Sequence, residues 1–169
     1  MNIQKIVNLC KKSGTLYLYN AKECQWISNG YAVYPMYGVP QFDEDSICAT
    51  YGISDEQKEK MVISEKRPPE SGISFEDNDA TEIPAKVISP GIVYAGTDYM
   101  TISSEKGIEF VKRKYIDVFD ESVELSVRNL NDRTYIAVKQ GMFLKGIILP
   151  ETTLRATIAS EIKDLVKEL

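Results

Sequence analysis

Carboxylates dominate the residues that could do chemistry. Between positions 41 and 82 stand twelve Asp and Glu against four Lys and Arg, a local charge of −8 in a chain whose net charge is −5. Residues 1–40 carry +3, and residues 83–169 balance at twelve of each sign. The candidate partner-binding residues are Asp43, Glu44, Asp45, Asp55, Glu56, Glu59, Glu76, Asp77 and Asp79. A dense run of one sign suits a surface that meets a basic partner, and it equally suits a solvated face that keeps a protein dispersed.

The chain contains no histidine. That removes the commonest general acid–base group and the commonest metal ligand. It also removes Ser-His-Asp and Cys-His nucleophile systems. The three cysteines, Cys10, Cys24 and Cys48, are odd in number and too far apart for zinc-ligand spacing, so buried free thiols are expected. Asp98, Asp117, Asp120 and Glu121 are what remains for a carboxylate-held metal, and no spacing in sequence gathers them. No catalytic residue, cofactor or metal is assigned, and a non-enzyme is expected. The cations that could meet phosphate are Lys11, Lys12, Lys112, Arg113, Lys114, Arg128 and Arg133, which would have to share one face.

The elements that position these groups read as α+β. Residues 2–12 place Ile3, Ile6, Val7 and Cys10 on one helical face, and Ser13-Gly14 ends the helix. Thr15–Asn20 reads as a strand. Gln25–Met36, which holds the only Trp, reads as a hairpin with positive φ at Asn29-Gly30. In it Trp26, Tyr31 and Tyr34 are expected to be scaffold rather than site. A helical pair follows, with acids Asp43 to Asp45 opening the first helix, Gly52 stopping it, and Ser54 with Gln57 capping the second.

Residues 64–86 are acidic, contain Pro68-Pro69 and few large apolar residues, and predict an exposed loop or linker. From Val87 the pattern is mainly β. Strands are expected at Tyr99–Ser103, Ile108–Val111, Val123–Val127, Thr134–Val138 and Met142–Leu149, with Arg128–Arg133 as a turn-rich connection. Lys112-Arg113-Lys114 reads as a strand extension guarded by charge. Leu154, Ile158, Ile162, Leu165, Val166 and Leu169 then recur at helical spacing. The expected architecture is a mainly antiparallel sheet with an N-terminal helix, a central helical pair and a C-terminal amphipathic helix packed on the sheet. Its parts are 1–63, the linker 64–86 and the β-rich 87–169, together one composite domain. A dimer seam is the alternative use of the terminal stripe. No run of about 18 apolar residues is present. The N-terminus lacks a signal-peptide pattern, so no membrane and a cytoplasmic location are expected.

Three resemblances attach to these residues. The Lys-rich helix, Thr15-Leu16-Tyr17-Leu18-Tyr19 and Gln25–Met36 resemble small proteins of phages and integrated elements in Gram-positive bacteria, over about the first third of the chain. The second half, with paired strands ending Ile147-Ile148-Leu149-Pro150, looks like a domain of the DNA sliding clamp, which implies helices on a basic inner face. Ile47 to Ser54 resembles the turn of bacterial helix-turn-helix domains, although the following helix, Asp55 to Lys60, has three acids against two bases.

The expected function is therefore a non-enzymatic protein-binding module of a phage or mobile element. It would be an acidic inhibitor of a host nucleic-acid enzyme, a profile that resembles counter-defence proteins such as anti-CRISPRs. The expected partner is a host protein with a basic surface, such as a nuclease. A nucleic-acid-binding accessory factor, clamp-like or helix-turn-helix-like, is the second reading, and a carboxylate/metal-dependent enzyme is the third.

Overall fold

Period-two alternation along the strands decides the architecture, because it gives one sheet two apolar faces that must both be covered. The computed structural model describes residues 1–68, 73–119, 122–130, 132–155 and 158. Its described elements are α1 (Ile3–Ser13), β1 (Thr15–Asn20), β2 (Gln25–Ser28), β3 (Ala32–Pro35), α2 (Glu44–Tyr51), α3 (Asp55–Glu59), β4 (Val62–Lys66), β5 (Ile83–Tyr94), β6 (Thr97–Ser104), β7 (Gly107–Lys112), a 3-10 turn (Arg113–Tyr115), β8 (Glu124–Leu130), β9 (Arg133–Gln140) and β10 (Phe143–Ile148).

The ten strands form one sheet in the order β4-β1-β2-β3-β10-β9-β8-β5-β6-β7. Every pairing is antiparallel except β1 with β4. Two meanders, β1-β2-β3 and β8-β9-β10, meet edge to edge where Val33 faces Ile147 and Ala32 faces Ile148. The twelve-residue β5 joins this body to β6 and β7. Its first residues, Ile83–Ala85, pair with β8, and the rest pairs with β6 across a register break between Ile88 and Ile92.

That break lets the sheet curl. Met100 and Ile102 of β6 and Val111 of β7 enter the same buried cluster as Leu16, Leu18, Ile27, Tyr34, Ile136 and Ile148. The amphipathic α1 supplies Ile6, Val7 and Cys10 to this cluster, and α2 supplies Ile47 and Cys48. The alternate residues, Trp26, Val33, Tyr135, Ala137, Leu144 and Ile147, face the other way and form a second cluster. On β6 and β7 the outward residues are Tyr99, Ile108 and Phe110, and Leu154 covers them. Where β10 passes Tyr34, packing at Gly146 is tight. A Cβ on Gly146 would lie 3.0 Å from the Phe119 ring and 3.3 Å from Tyr34.

Residues 73–82 are a strap across the second cluster, and this corrects the expectation of an exposed 64–86 linker. Ile73 and Phe75 pack there, with Phe75 stacked on Trp26 at 4.8 Å between ring centroids. Arg128 holds the strap down. Its side chain is completely buried. Nε and Nη2 contact Glu82 Oε2 at 2.8 and 2.7 Å, Nη1 donates to the carbonyls of Glu76 (2.9 Å) and Ser74 (3.4 Å), and Nη2 donates to that of Asp77 (2.9 Å). Lys139 Nζ donates to the other oxygen of Glu82 at 3.1 Å. The start of the expected linker is also structured, since Val62–Lys66 is β4.

Other departures are local. The β2–β3 turn has positive φ at Gly30 but not at Asn29. Asn29 instead uses its side-chain oxygen to accept from the amides of Tyr31 and Ala32. The expected turn at Arg128–Arg133 is mostly strand, because β8 and β9 stay paired out to Leu130 and Arg133. Lys112 ends β7 and Arg113-Lys114-Tyr115 turns away as a 3-10 helix rather than extending the strand. Thr152 to Arg155 is helical, Leu154 is buried, and Ile158 packs against the same cluster. Ile162, Leu165, Val166 and Leu169 lie outside the described residues, and so does any dimer seam built on them. Among the described residues no helix is long and apolar enough to cross a membrane.

Two outcomes test the strap. Arg128→Met leaves the Glu82 carboxylate half-buried beside unsatisfied carbonyls and is expected to cost about 3–5 kcal/mol, read as a lower urea midpoint. Adding Glu82→Gln removes the orphaned charge and should recover part of that loss. Burial alone would raise the Glu82 carboxyl, but hydrogen bonds from Arg128 and Lys139 outweigh it and hold the group below its ordinary value of 4.5. Its contribution is therefore complete above about pH 4.5 and fades as pH falls through the lower folded value. Urea unfolding across that range should show an acid limb that Glu82→Gln flattens.

Candidate functional site

The nine candidate acids fall into two groups on opposite faces of the sheet. Asp43, Glu44, Asp45, Asp55, Glu56 and Glu59 belong to the α2–α3 pair, whose apolar residues face the main core. Glu76, Asp77 and Asp79 belong to the strap on the far side.

The α2–α3 group is a continuous surface. Asp43 caps α2 through a reciprocal pair with Ser46, its carboxylate accepting from the Ser46 amide at 2.8 Å and from the hydroxyl at 2.6 Å. The Ser46 hydroxyl and then its amide hold the Asp43 carboxyl below its ordinary value. Ser54 and Gln57 repeat the arrangement on α3. Lys58 Nζ bridges the helices, 2.8 Å from Asp45 and 3.5 Å from Glu44, and Lys60 reaches Glu56 at 2.9 Å. Asp55 and Glu59 are exposed at the surface of α3. Six acids thus stand with Lys58 and Lys60 among them on one helical pair. Such exposed pairs stabilise little and leave the negative field largely intact. With five residues, α3 makes about one and a half turns, too little to lie along a DNA groove as a recognition helix.

The strap acids do structural work. Asp77 Oδ1 accepts from the Leu144 amide at 2.7 Å. Asp79 Oδ1 accepts from both the amide and the hydroxyl of Thr81, and the hydroxyl contact chiefly holds its carboxyl down. Glu76 is exposed. Beside them opens a cleft of ≈ 420 Å³ bordered by Glu23, Cys24, Trp26, Tyr37, Phe75 and Asp77. Burial, followed by the charges of Cys24, Asp77 and Glu23, pushes the Tyr37 phenol up to about 12. Lys145 Nζ sits 4.9 Å from the centre of the Tyr37 ring. Burial also raises the Cys24 thiol. Sequence reasoning missed this cleft because its walls come from 21–26, 37 and 75–78. The available signal was Ile73 and Phe75, two apolar residues at strand spacing inside an otherwise polar run.

The cations divide as well. Lys11 Nζ donates to the carbonyls of Tyr51 and Gly52 at the end of α2. Arg113 pairs with Asp98 at 2.7 Å, Arg128 is buried under the strap, and Arg133 is exposed at the start of β9. Lys112 pairs with Glu151 at 4.0 Å, and burial, then Lys112, then Lys12 lower the Lys114 ammonium.

Of the carboxylates considered for a metal, Asp98 is engaged by Arg113 and Asp117 is exposed, while Asp120 and Glu121 lie outside the described residues. Among the described residues no three His, Cys, Asp or Glu are grouped to hold a metal ion.

The cysteines give a direct check of the cleft. Cys10 and Cys48 are buried, and burial drives the Cys10 thiol to about 12, whereas Cys24 is only half-buried. A disulfide reagent at mildly alkaline pH should label Cys24 alone in the folded protein, at a rate still rising beyond pH 9, and all three thiols in urea. Cys24→Ser should abolish the native-state signal. Comparison with protein families, with curated proteins and with solved structures returns no match to this chain.

Proposed function

We propose that this protein is a non-enzymatic binding module whose α2–α3 face docks on a basic surface of another protein. The observation that carries the reading is the six-carboxylate surface of the α2–α3 pair, each helix opened by a capping box and the two linked by Lys58. A fixed array of like charges imitates a row of phosphates electrostatically, which favours the groove of a nucleic-acid enzyme as the complementary surface. The finer form of the reading is a phage or mobile-element inhibitor of a host nuclease, acting in the manner of a counter-defence protein. Glu76, Asp77 and Asp79 lie on the other face and do not belong to this docking surface.

The test uses charge reversal where no cap or bridge is disturbed. Asp55→Lys with Glu59→Lys should keep the unfolding midpoint and lose a nucleic-acid enzyme captured from host lysate by the unaltered chain. Capture should weaken steeply with salt, and duplex DNA should compete for the same enzyme. Retention that is indifferent to both salt and the reversed charges would overturn the proposal.

A further inference from the structure

The best-defined cationic surface lies away from the acidic helices. Tyr31, immediately after the β2–β3 turn, is 53% exposed although both strands of its hairpin are buried. Its ring lies nearly parallel to that of Tyr115, 13° apart with centroids 6.5 Å apart. Lys112 Nζ lies 5.3 Å from the centre of the Tyr31 ring, and Lys114 Nζ lies 5.3 Å from that of Tyr115. Two ammonium groups are thus held beside a stacked pair of tyrosine rings in a chain of net charge −5. Tyr31, Lys112 and Tyr115 line a pocket of ≈ 220 Å³ together with Leu149, Pro150 and Thr152. The carboxylate in its lining is Glu151, 4.0 Å from Lys112.

This combination selects its ligand class. Two lysines opposed by the single carboxylate of Glu151 favour an anion that brings further negative charge. An exposed tyrosine beside them adds a flat ring that a simple phosphate or an acidic peptide does not use. Below the roughly 300–1,000 Å³ of pockets that enclose whole small ligands, this one accepts a single base or sugar-phosphate unit and leaves the remainder outside. Stacking on aromatic rings within a cationic groove is how single strands are held without sequence preference. We propose that Tyr31, Lys112 and Lys114 form a binding site for single-stranded nucleic acid, with one base packed on the exposed surface of Tyr31 and adjacent phosphates on the two lysines. The proposal is independent of the acidic docking face, and Asp55→Lys with Glu59→Lys should not abolish this binding.

Fluorescence anisotropy with a labelled oligothymidylate of roughly ten nucleotides tests it, since such a strand covers one compact site. Binding is expected at low salt and micromolar protein. The logarithm of affinity should fall with the logarithm of salt at a slope of about −1.4, from about 0.7 per phosphate contact. Tyr31→Ala should weaken binding roughly tenfold or more through lost stacking. Lys112→Ala and Lys114→Ala should each weaken it and each make the slope shallower by about 0.7. Glu151→Gln, which removes the opposing charge, should tighten it. Lys106→Ala, in the exposed β6–β7 turn, should have no effect, and unfolding midpoints taken alongside separate lost binding from lost folding. The proposal fails if no anisotropy change occurs at low salt, or if Lys106→Ala weakens binding as much as Lys112→Ala. It also fails if Tyr31→Ala binds normally, or if thymidine monophosphate or polyglutamate competes as well as the oligonucleotide.

Discussion

A guanidinium with no exposed surface must be surrounded by acceptors, because a buried unpaired charge costs several kcal/mol. Arg128 meets that condition only with residues 73–82 lying across β8 and β9. Carbonyls of Ser74, Glu76 and Asp77 and the carboxylate of Glu82 converge on its five N–H groups. Placing the strap there brings Phe75 onto Trp26, closes the outer face of the meanders, sets Asp77 under the Leu144 amide and forms one wall of the cleft at Tyr37. Removing the guanidinium would expose the apolar residues beneath the strap and strand Glu82 next to Lys139 alone. Arg128 acts on the strap together with the Phe75–Trp26 stack, the Asp77 bond to the Leu144 amide and the Thr81 bond to the Asn129 amide.

The sheet itself is overdetermined. Its inner face is filled from α1, α2 and the curled β6–β7 pair, so most core residues touch neighbours from several elements. Its two outer faces are each covered by chain distant in sequence from the strands beneath. The strap covers Trp26 and Tyr135, and the stretch after β10 covers Tyr99 and Phe110 through Leu154. A sheet of ten strands with both faces apolar has to curl and be capped in this way, since a flat one would leave large apolar area in water.

Legibility followed the range of the interactions. The helix over 3–13, the hairpin after Gln25 and the two capping boxes depend on residues within four positions of one another, so periodicity and cap chemistry show them. The alternation in Tyr135 to Val138 and Met100 to Ile102 likewise announces strands with two apolar faces. The strap was not legible. Its composition is that of a solvated loop, and the residue that orders it stands about 50 positions away, in what reads locally as a turn. For the same reason Arg128 looked like a surface cation. Lys112 meets Tyr31 beside the β2–β3 turn, a contact that no local pattern encodes, whereas the neighbouring Arg113, contiguous in sequence, turns to Asp98 instead.

Contiguity of charge in sequence is thus a poor guide to contiguity in space, and the reason is physical. A run of acids longer than one element must change direction at each turn, and any carboxylate near a backbone amide or a buried cation is drawn into structural duty. Asp77 and Asp79 were drawn in this way, and so was Asp43 at its helix cap. The acids that stay available to a partner are those on α2 and α3, where the short elements present them outward and only lysine side chains reach back. Lys112 and Lys114, at the end of β7 and in the 3-10 turn that follows it, stand beside Tyr31 and Tyr115. The acidic helical pair and this lysine pair are each assembled from short elements held by a common core. With a Debye length of about 8 Å at physiological salt, charge groups separated by more than that distance act nearly independently.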